Sequence, residues 1–290
     1  MGYRGRRRHR GASRVKPDAD GGIYGEAARG GGISDPAGPT RGGGGEGLAM
    51  DPMFRIGPET NTFTILARCP QRGALGTAIA TYSLAVGGTC QAIKSGVGVM
   101  ASQAFGDPRL RPLAMGMLEA GLDAYDTLER VKRKDPYIEY RQIGIVDSMG
   151  RVAAHTGPKA RPWHGHMVGR GYVVMGNALV GGQVLEAMSK AYEASELEEL
   201  EERLLRALEA GRDAGGQPQG QRSSVLVAHR EESYPWMDLR VDAHSEPVGE
   251  LRRVYETYKP MATYYYEMRP KDPAHLPTQD EWLARQKWSG

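Results

Sequence analysis

Apolar and β-branched residues fall in short runs along the chain, separated by Gly, Pro, Asp and Ser. TFTILAR (62–68) and ALGTAIATYS (74–83) flank CPQRG, so Pro70 and Gly73 close a turn between two strands. GVGVMASQAF (96–105) is a third apolar strand, opened by glycines. From Arg109 to Ala120 the spacing becomes helical, with Leu110, Leu113, Met117 and Leu118 as the apolar positions and Gly121 suited to follow the last turn. Asp123 is a fitting N-cap for a second helix, which should end at Lys134, before Asp135-Pro136.

Strands return in EYRQIGIVDS (139–148) and RVAAHTG (151–157), joined by Ser148-Met149-Gly150, and again in GYVVMGN (171–177). Helix is expected from Gln183 to Ala210 in two segments. The second should start at a capping box of Ser195 and Glu198, with a stripe of Leu197, Leu200, Leu204, Leu205 and Leu208. That stripe is too short for a zipper and predicts a core-facing helix. SSVLVAHR (223–230) and MDLRVDAH (237–244) predict a last hairpin, and Glu250 to Tyr258 a closing helix. Pro260, Pro270, Pro273 and Pro277 then predict an irregular tail, 259–290, with one short helix around Trp282. Hairpins alternating with helical pairs, in place of single βαβ units, indicate an α+β fold of packed sheets with helices outside.

Composition changes the picture at the N-terminus. Residues 1 to about 50 are rich in Gly and Arg, with few apolar groups to offset the entropy of ordering them. Residues 1–60 are therefore expected to form a disordered extension, order to begin near Asn61, and one domain to span 61–258. The cluster Arg4, Arg6, Arg7, Arg8 and Arg10 is compatible with a solvated tail or with phosphate contacts; a third reading is translated upstream sequence, with the natural start at Met50 or Met53. The formal net charge is +3, yet residues 1–50 carry nine Lys/Arg against five Asp/Glu. The remainder is therefore slightly acidic, and no nucleic-acid role is expected for the domain.

Cys69 and Cys90 form no CxxC and no metal-spaced pair, which suits reduced thiols in a cytosolic protein; a disulfide is the other reading. No stretch reaches the roughly 18 apolar residues of a membrane helix, and no apolar run follows the basic N-terminus. Cytoplasm is the expectation.

Common catalytic motifs are missing: there is no GxxxxGK[ST] and no GxSxG, and Gly96-Val97-Gly98 lacks the rest of a dinucleotide fingerprint. His155, His164 and His166 have no accompanying carboxylate cluster, so neither metal nor cofactor is expected; a polar loop near the sheet end accounts for the closely spaced pair. Thr62 stands at the head of the first strand. If the chain began there, its hydroxyl would lie beside a free α-amine of pKa about 7.7–8, a base for its own nucleophile. A plain strand threonine is the competing reading.

Several segments resemble one family throughout. Thr62-Phe63-Thr64-Ile65-Leu66-Ala67-Arg68-Cys69-Pro70, Ala74 to Ala78, Leu84 to Gly87, Ser95 to Ala104, Arg141 to Asp147, Gly150 to Gly157, Gly176 to Leu179 and Asp238 to His244 run in the order of its motifs. Over about 200 residues the chain resembles the family catalogued as domain of unknown function 1028, of the Ntn-hydrolase superfamily. The resemblance implies a four-layer αββα sandwich of two antiparallel sheets flanked by helices. It also implies hydrolysis of a C–N amide bond, with Thr62 as nucleophile once exposed by processing or by a later start. Asn177 becomes a candidate oxyanion donor, with a turn asparagine as the other reading. His155 becomes a residue that orients a pocket group or is merely structural. A small-molecule amide is the implied substrate, and a homo-oligomer the implied assembly. Three positions depart from the pattern. Cys69 stands where the family has Asp, Gln217 replaces the Asp of Gly-Gly-Asp, and Arg222 replaces Gln. If these line the site, a non-catalytic binding or scaffold protein on the same fold is the alternative.

Overall fold

The structure, a computed structural model, describes residues 54–268 and 272–287. Among these, two antiparallel sheets and six α-helices form an α+β fold. Numbered in chain order, the first sheet holds β1 (Glu59–Thr60), β4 (Gln91–Lys94), β5 (Gly98–Phe105), β6 (Arg141–Asp147) and β7 (Val152–Thr156). Strands β1 and β4 share one edge of β5, and β6 then β7 follow on its other side. The second sheet holds β2 (Thr62–Arg68), β3 (Leu75–Thr81), β8 (Gly165–Gly169), β9 (Tyr172–Gly176), β10 (Ser223–His229) and β11 (Met237–Val241). Its order is β11-β10-β3-β2-β9-β8, which leaves β2 central, with Thr62 opposite Thr81. The helices are α1 (Leu110–Glu119), α2 (Ala124–Lys134), α3 (Gln183–Ala194), α4 (Leu200–Asp213), α5 (Pro247–Glu267) and α6 (Gln279–Lys287).

Strand alternation distributes β2 between two cores. Phe63, Ile65 and Ala67 pack with Met188 of α3, Leu204 and Leu208 of α4, and Leu251 and Tyr255 of α5. Leu66, on the opposite face, meets Val99 and Ala101 of β5, Val146 of β6 and Val173 and Met175 of β9. Both faces being covered, β2 reads as a nearly continuous apolar run, and each such Leu or Ile stabilises by about 1.5–3 kcal/mol. A third cluster joins Met100, Ile143 and Ile145 to Leu110, Ala114, Leu128 and Val131 of α1 and α2. Asp123 caps α2 as its sequence position suggests, accepting the Asp126 N–H at 2.8 Å. Cys69 and Cys90 are free thiols, and burial pushes Cys90 up to about 11. Among the described residues no helix is long and apolar enough to cross a membrane.

Four expectations are corrected. The extension placed at 1–60 lies outside the described residues as far as 53, but 54–60 belong to the fold. Phe54 is buried, and β1 pairs with Phe105 and Ala104. Gly57 has φ +76°, and a Cβ there would come within 1.8 Å of Gly106 O, so this approach needs glycine. Next, Ser195 does not open α4; its hydroxyl bonds back to Ala191 O at 2.9 Å, closing α3, and Leu197 is fully exposed. The segment holding His164 and His166 is not merely a loop, because β8 forms an edge strand there on β9. Finally, the tail placed at 259–290 is largely helical. Pro260 removes one helical N–H, yet α5 continues to Glu267, since Tyr255 before it and Met261 and Ala262 after it are buried. The short helix expected around Trp282 is α6, tied to α5 by Trp282 Nε1 donating to Pro260 O at 3.1 Å.

Candidate functional site

Pleating puts Thr62 and Thr64 on the face of β2 that looks toward the other sheet, as Leu66 does. Both threonines are fully buried, and their polar atoms therefore need partners. The Thr81 hydroxyl donates to Asn61 O at 2.7 Å. That uses its only hydrogen, so in the 3.2 Å contact between the two hydroxyls Thr62 is the donor and Thr81 the acceptor. Asn61 O also accepts from the Tyr82 N–H at 3.2 Å and from Gln217 Nε2. The carbonyl just ahead of Thr62 thus carries three donors. The carbonyl of Thr62 itself accepts from the Asn177 N–H at 2.9 Å and from Gln103 Nε2 at 3.3 Å.

A chain of side-chain amides continues behind the threonines. Thr64 Oγ1 donates to Gln103 Oε1 at 2.6 Å, and Gln103 Nε2 donates to Gln142 Oε1 at 2.7 Å. Gln142 Nε2 in turn faces Gly165 O and Gly176 O, each at 2.9 Å, and Thr156 Oγ1 at 3.0 Å. Backbone carbonyls accept only, so they fix the orientation of Gln142. Its Oε1 must then face donors, which fixes Asn177 Nδ2, 3.2 Å away, as one of them. Asn177 Oδ1 is buried with no partner. Thr156 Oγ1 lies 2.9 Å from His166 Nδ1, the far end of the chain. Burial, followed by the nearby His155, lowers the His166 pKa and favours neutral imidazole.

Thr62 and Asn177 are therefore brought together, whereas His155 is not part of this network. It neighbours Thr156 on β7 and so points to the opposite face, where Nε2 donates to Ile138 O at 3.0 Å. Burial lowers its pKa, with Lys132 adding to that effect. Of the departures from the family pattern, Gln217 reaches the site. Cys69 instead bonds to Gln71 at 3.3 Å, and Arg222 lies 5.6 Å from the Tyr82 ring. No catalytic motif in the sequence marks Thr81, Gln103 or Gln142. Their signal was a polar side chain inside an otherwise apolar strand.

The chain ahead of Thr62 covers the site and is firmly held. Arg141 Nε and Asp135 Oδ2 form a fully buried ion pair at 2.8 Å. The same guanidinium donates to the carbonyls of Arg55, Ile56 and Phe105. Asp107 accepts the Arg55 N–H at 2.8 Å, and Gly106 N donates to Pro58 O at 3.1 Å. Two cavities, of about 740 and 400 Å³, are lined by none of Thr62, Thr81, Asn177 or Gln217. Among the described residues no cluster of three His, Cys, Asp or Glu is placed to hold a metal ion.

Comparison with known proteins gives a family without an activity. The model described as "Family of unknown function (DUF1028)" matches residues 62–251. The crystal structure of a Silicibacter pomeroyi protein carrying that family model is 33% identical, with TM-score 0.64, covering 69% of this chain and 89% of that one. Anbu, the ancestral β-subunit from Yersinia bercovieri, is 10% identical with TM-score 0.35, covering 74% of this chain and 98% of that one. No curated protein matches the chain.

Proposed function

The chain belongs to the DUF1028 family, and from that membership and the buried threonine at the head of β2 we propose an N-terminal-nucleophile hydrolase. It cleaves the C–N bond of a small-molecule amide, with Thr62 as nucleophile once the residues before it are gone. The observation that carries this reading is the hydrogen-bonded position of Thr62. Its hydroxyl sits on a central strand, directed at Thr81, beside a carbonyl that three donors already polarise.

In the intact chain the nitrogen of Thr62 is an amide and cannot act as a base. Freed, it becomes an amine that titrates at about 7.7–8 and takes the proton of its own hydroxyl. Oγ1 then attacks the substrate carbonyl, the C–N bond breaks, the amine leaves with that proton, and water hydrolyses the resulting ester. Gln142 uses one of the two hydrogens of Asn177 Nδ2, which leaves the other for the oxyanion. Loss of 54–61 would also remove β1 and Asn61, which now cover the site. In this reading the two sheets and their outer helices form a four-layer αββα sandwich, and the free thiols fit the reducing cytoplasm. Assembly as a homo-oligomer is part of the same reading.

One observation favours the other reading, a non-catalytic binding protein. Gln217 donates to Asn61 O, and an amide donor suits an intact peptide carbonyl better than a terminal ammonium. Two measurements separate the readings. Mass spectrometry of the purified protein should find chains beginning at Thr62, and such chains should release amine from members of a panel of small amides. Chains intact through Asn61, together with no turnover by protein prepared to begin at Thr62, would leave the binding protein.

A further inference from the structure

The opposite end of β2 has a different chemistry. Strand β2 ends at Arg68, beside the cavity of about 740 Å³, a size suited to a small organic ligand. The turn between β8 and β9 contributes Arg170, and Tyr172, Tyr192, Glu193 and Arg203 complete the part of the lining that matters. Tyr172 and Tyr192 lie with ring centroids 4.6 Å apart. Arg203 is locked in place, with its guanidinium 3.9 Å from the Tyr192 ring centroid and Nε and Nη2 donating to Tyr192 O at 3.4 and 3.2 Å. The Tyr172 hydroxyl donates to Glu193 at 2.6 Å, so that carboxylate is engaged by a neutral group.

Arg68 differs from Arg203. Its Nε is buried and has no hydrogen-bond partner. Its side chain is held between two turns: a Cβ on Gly73 would lie 3.6 Å from Nη2, and one on Gly150 3.6 Å from Cδ. Neither Arg68 nor Arg170 makes an ion pair among the described residues. Three guanidinium groups line the cavity against Glu193 and Glu196. A guanidinium offers parallel N–H groups that match a carboxylate or phosphate.

We propose that this cavity binds a small organic anion, with Arg68 and Arg170 holding its carboxylate or phosphate group and Tyr172 and Tyr192 contacting its body. The inference is independent of the reading of Thr62, which lies at the far end of the strand.

The test is thermal unfolding and titration calorimetry of the full chain with inorganic phosphate and, separately, succinate, each against sodium chloride of matched ionic strength. A rise in melting temperature beyond the salt control is expected with at least one probe. Its affinity should fall about tenfold or more in Arg68→Met or Arg170→Ala, as loss of a charged hydrogen-bonding partner implies. A response to phosphate alone assigns the site to phosphorylated ligands, and a response to succinate alone to carboxylates. Should Arg68→Met fold poorly, Arg170→Ala, in an exposed turn, carries the test. No response beyond salt, or an unchanged response in every folded variant, overturns the proposal.

Discussion

At its head β2 presents Thr62, fully buried beneath the chain that precedes it, with hydroxyl and carbonyl both engaged. At its foot, about 20 Å away at roughly 3.3 Å per residue, Arg68 borders an open cavity with a buried N–H that bonds to nothing in the protein. The same face of the same strand thus ends once in a closed, fully bonded threonine and once in an open, under-bonded cation. The head is closed by sequence-local chain: Asn61 supplies the carbonyl that Thr81 and Gln217 hold, and β1 fills the edge of β5. The foot is built from turns that leave space between them. On the proposed readings, chemistry at the head waits on a covalent change, whereas binding at the foot needs none.

The largest effect is expected at Thr62. In protein beginning at residue 62, Thr62→Ala removes the proposed attacking oxygen and should abolish amide hydrolysis while the protein still folds; Thr62→Ser should keep part of the activity. Full turnover by the alanine variant, measured as amine release, would remove Thr62 from the chemistry.

The cover over the head depends on Arg141. Arg141→Leu leaves Asp135 as an unpaired buried charge and frees three carbonyls, which should cost about 3–5 kcal/mol in urea unfolding. It should also speed proteolysis within the 54–61 segment relative to the unsubstituted protein. A loss under 1 kcal/mol, about the value of a surface pair, would show that the cover is not held in this way.

Asn177→Ala should slow turnover by roughly 100- to 1000-fold, about 2.7–4 kcal/mol in the barrier, if its amide serves the oxyanion. Unchanged kcat would assign Asn177 to the support of Gln142 alone.

The smallest effect is a response to acid. Burial would raise the Asp107 pKa, but hydrogen bonds from Arg109 and from the Arg55 N–H outweigh it and bring the carboxyl from 3.8 down to about 2. A folded pKa below the unfolded one contributes stability that is present above about pH 4 and is lost as pH falls toward 2. The shift is worth about 2 kcal/mol. Asp107→Asn should flatten the stability curve across that window; an unchanged slope would place the acid sensitivity elsewhere.

The regular parts of this fold were legible because local pattern and tertiary packing agree. The β2–β3 hairpin, α1, α2 with its Asp123 cap, and the β10–β11 hairpin all occur where runs and turn residues put them. Strands β4 and β8 escaped because QAIK and GHMVG are short edge strands, half-exposed, with little alternation. The order of 54–60 is imposed from a distance by Arg141 and Asp107, and FRIGPET itself carries no strand pattern. Pro260 should break a helix taken alone, but burial on both sides of it carries α5 through. The family motifs single out Thr62 and Asn177, which the fold makes neighbours through the Asn177 N–H donating to Thr62 O; their roles rest on the proposal. No catalytic motif marks Gln103 or Gln142, because a polar residue in an apolar strand declares itself only when the facing sheet supplies its partner, here Thr64 for Gln103 and Gly176 O and Asn177 for Gln142. His155 was drawn in by its motif, yet the pleat turns it away from Thr62.

If Thr62 reacts only as a chain terminus, a threonine-reactive electrophile will show it without a known substrate. Protein beginning at Thr62 and the full-length chain would be treated side by side, digested, and the modified residue located by mass spectrometry. Thr62 should be labelled in the shortened protein and left unlabelled in the full chain. Equal labelling of both forms, or of neither, would rule out a terminus-dependent Thr62 nucleophile.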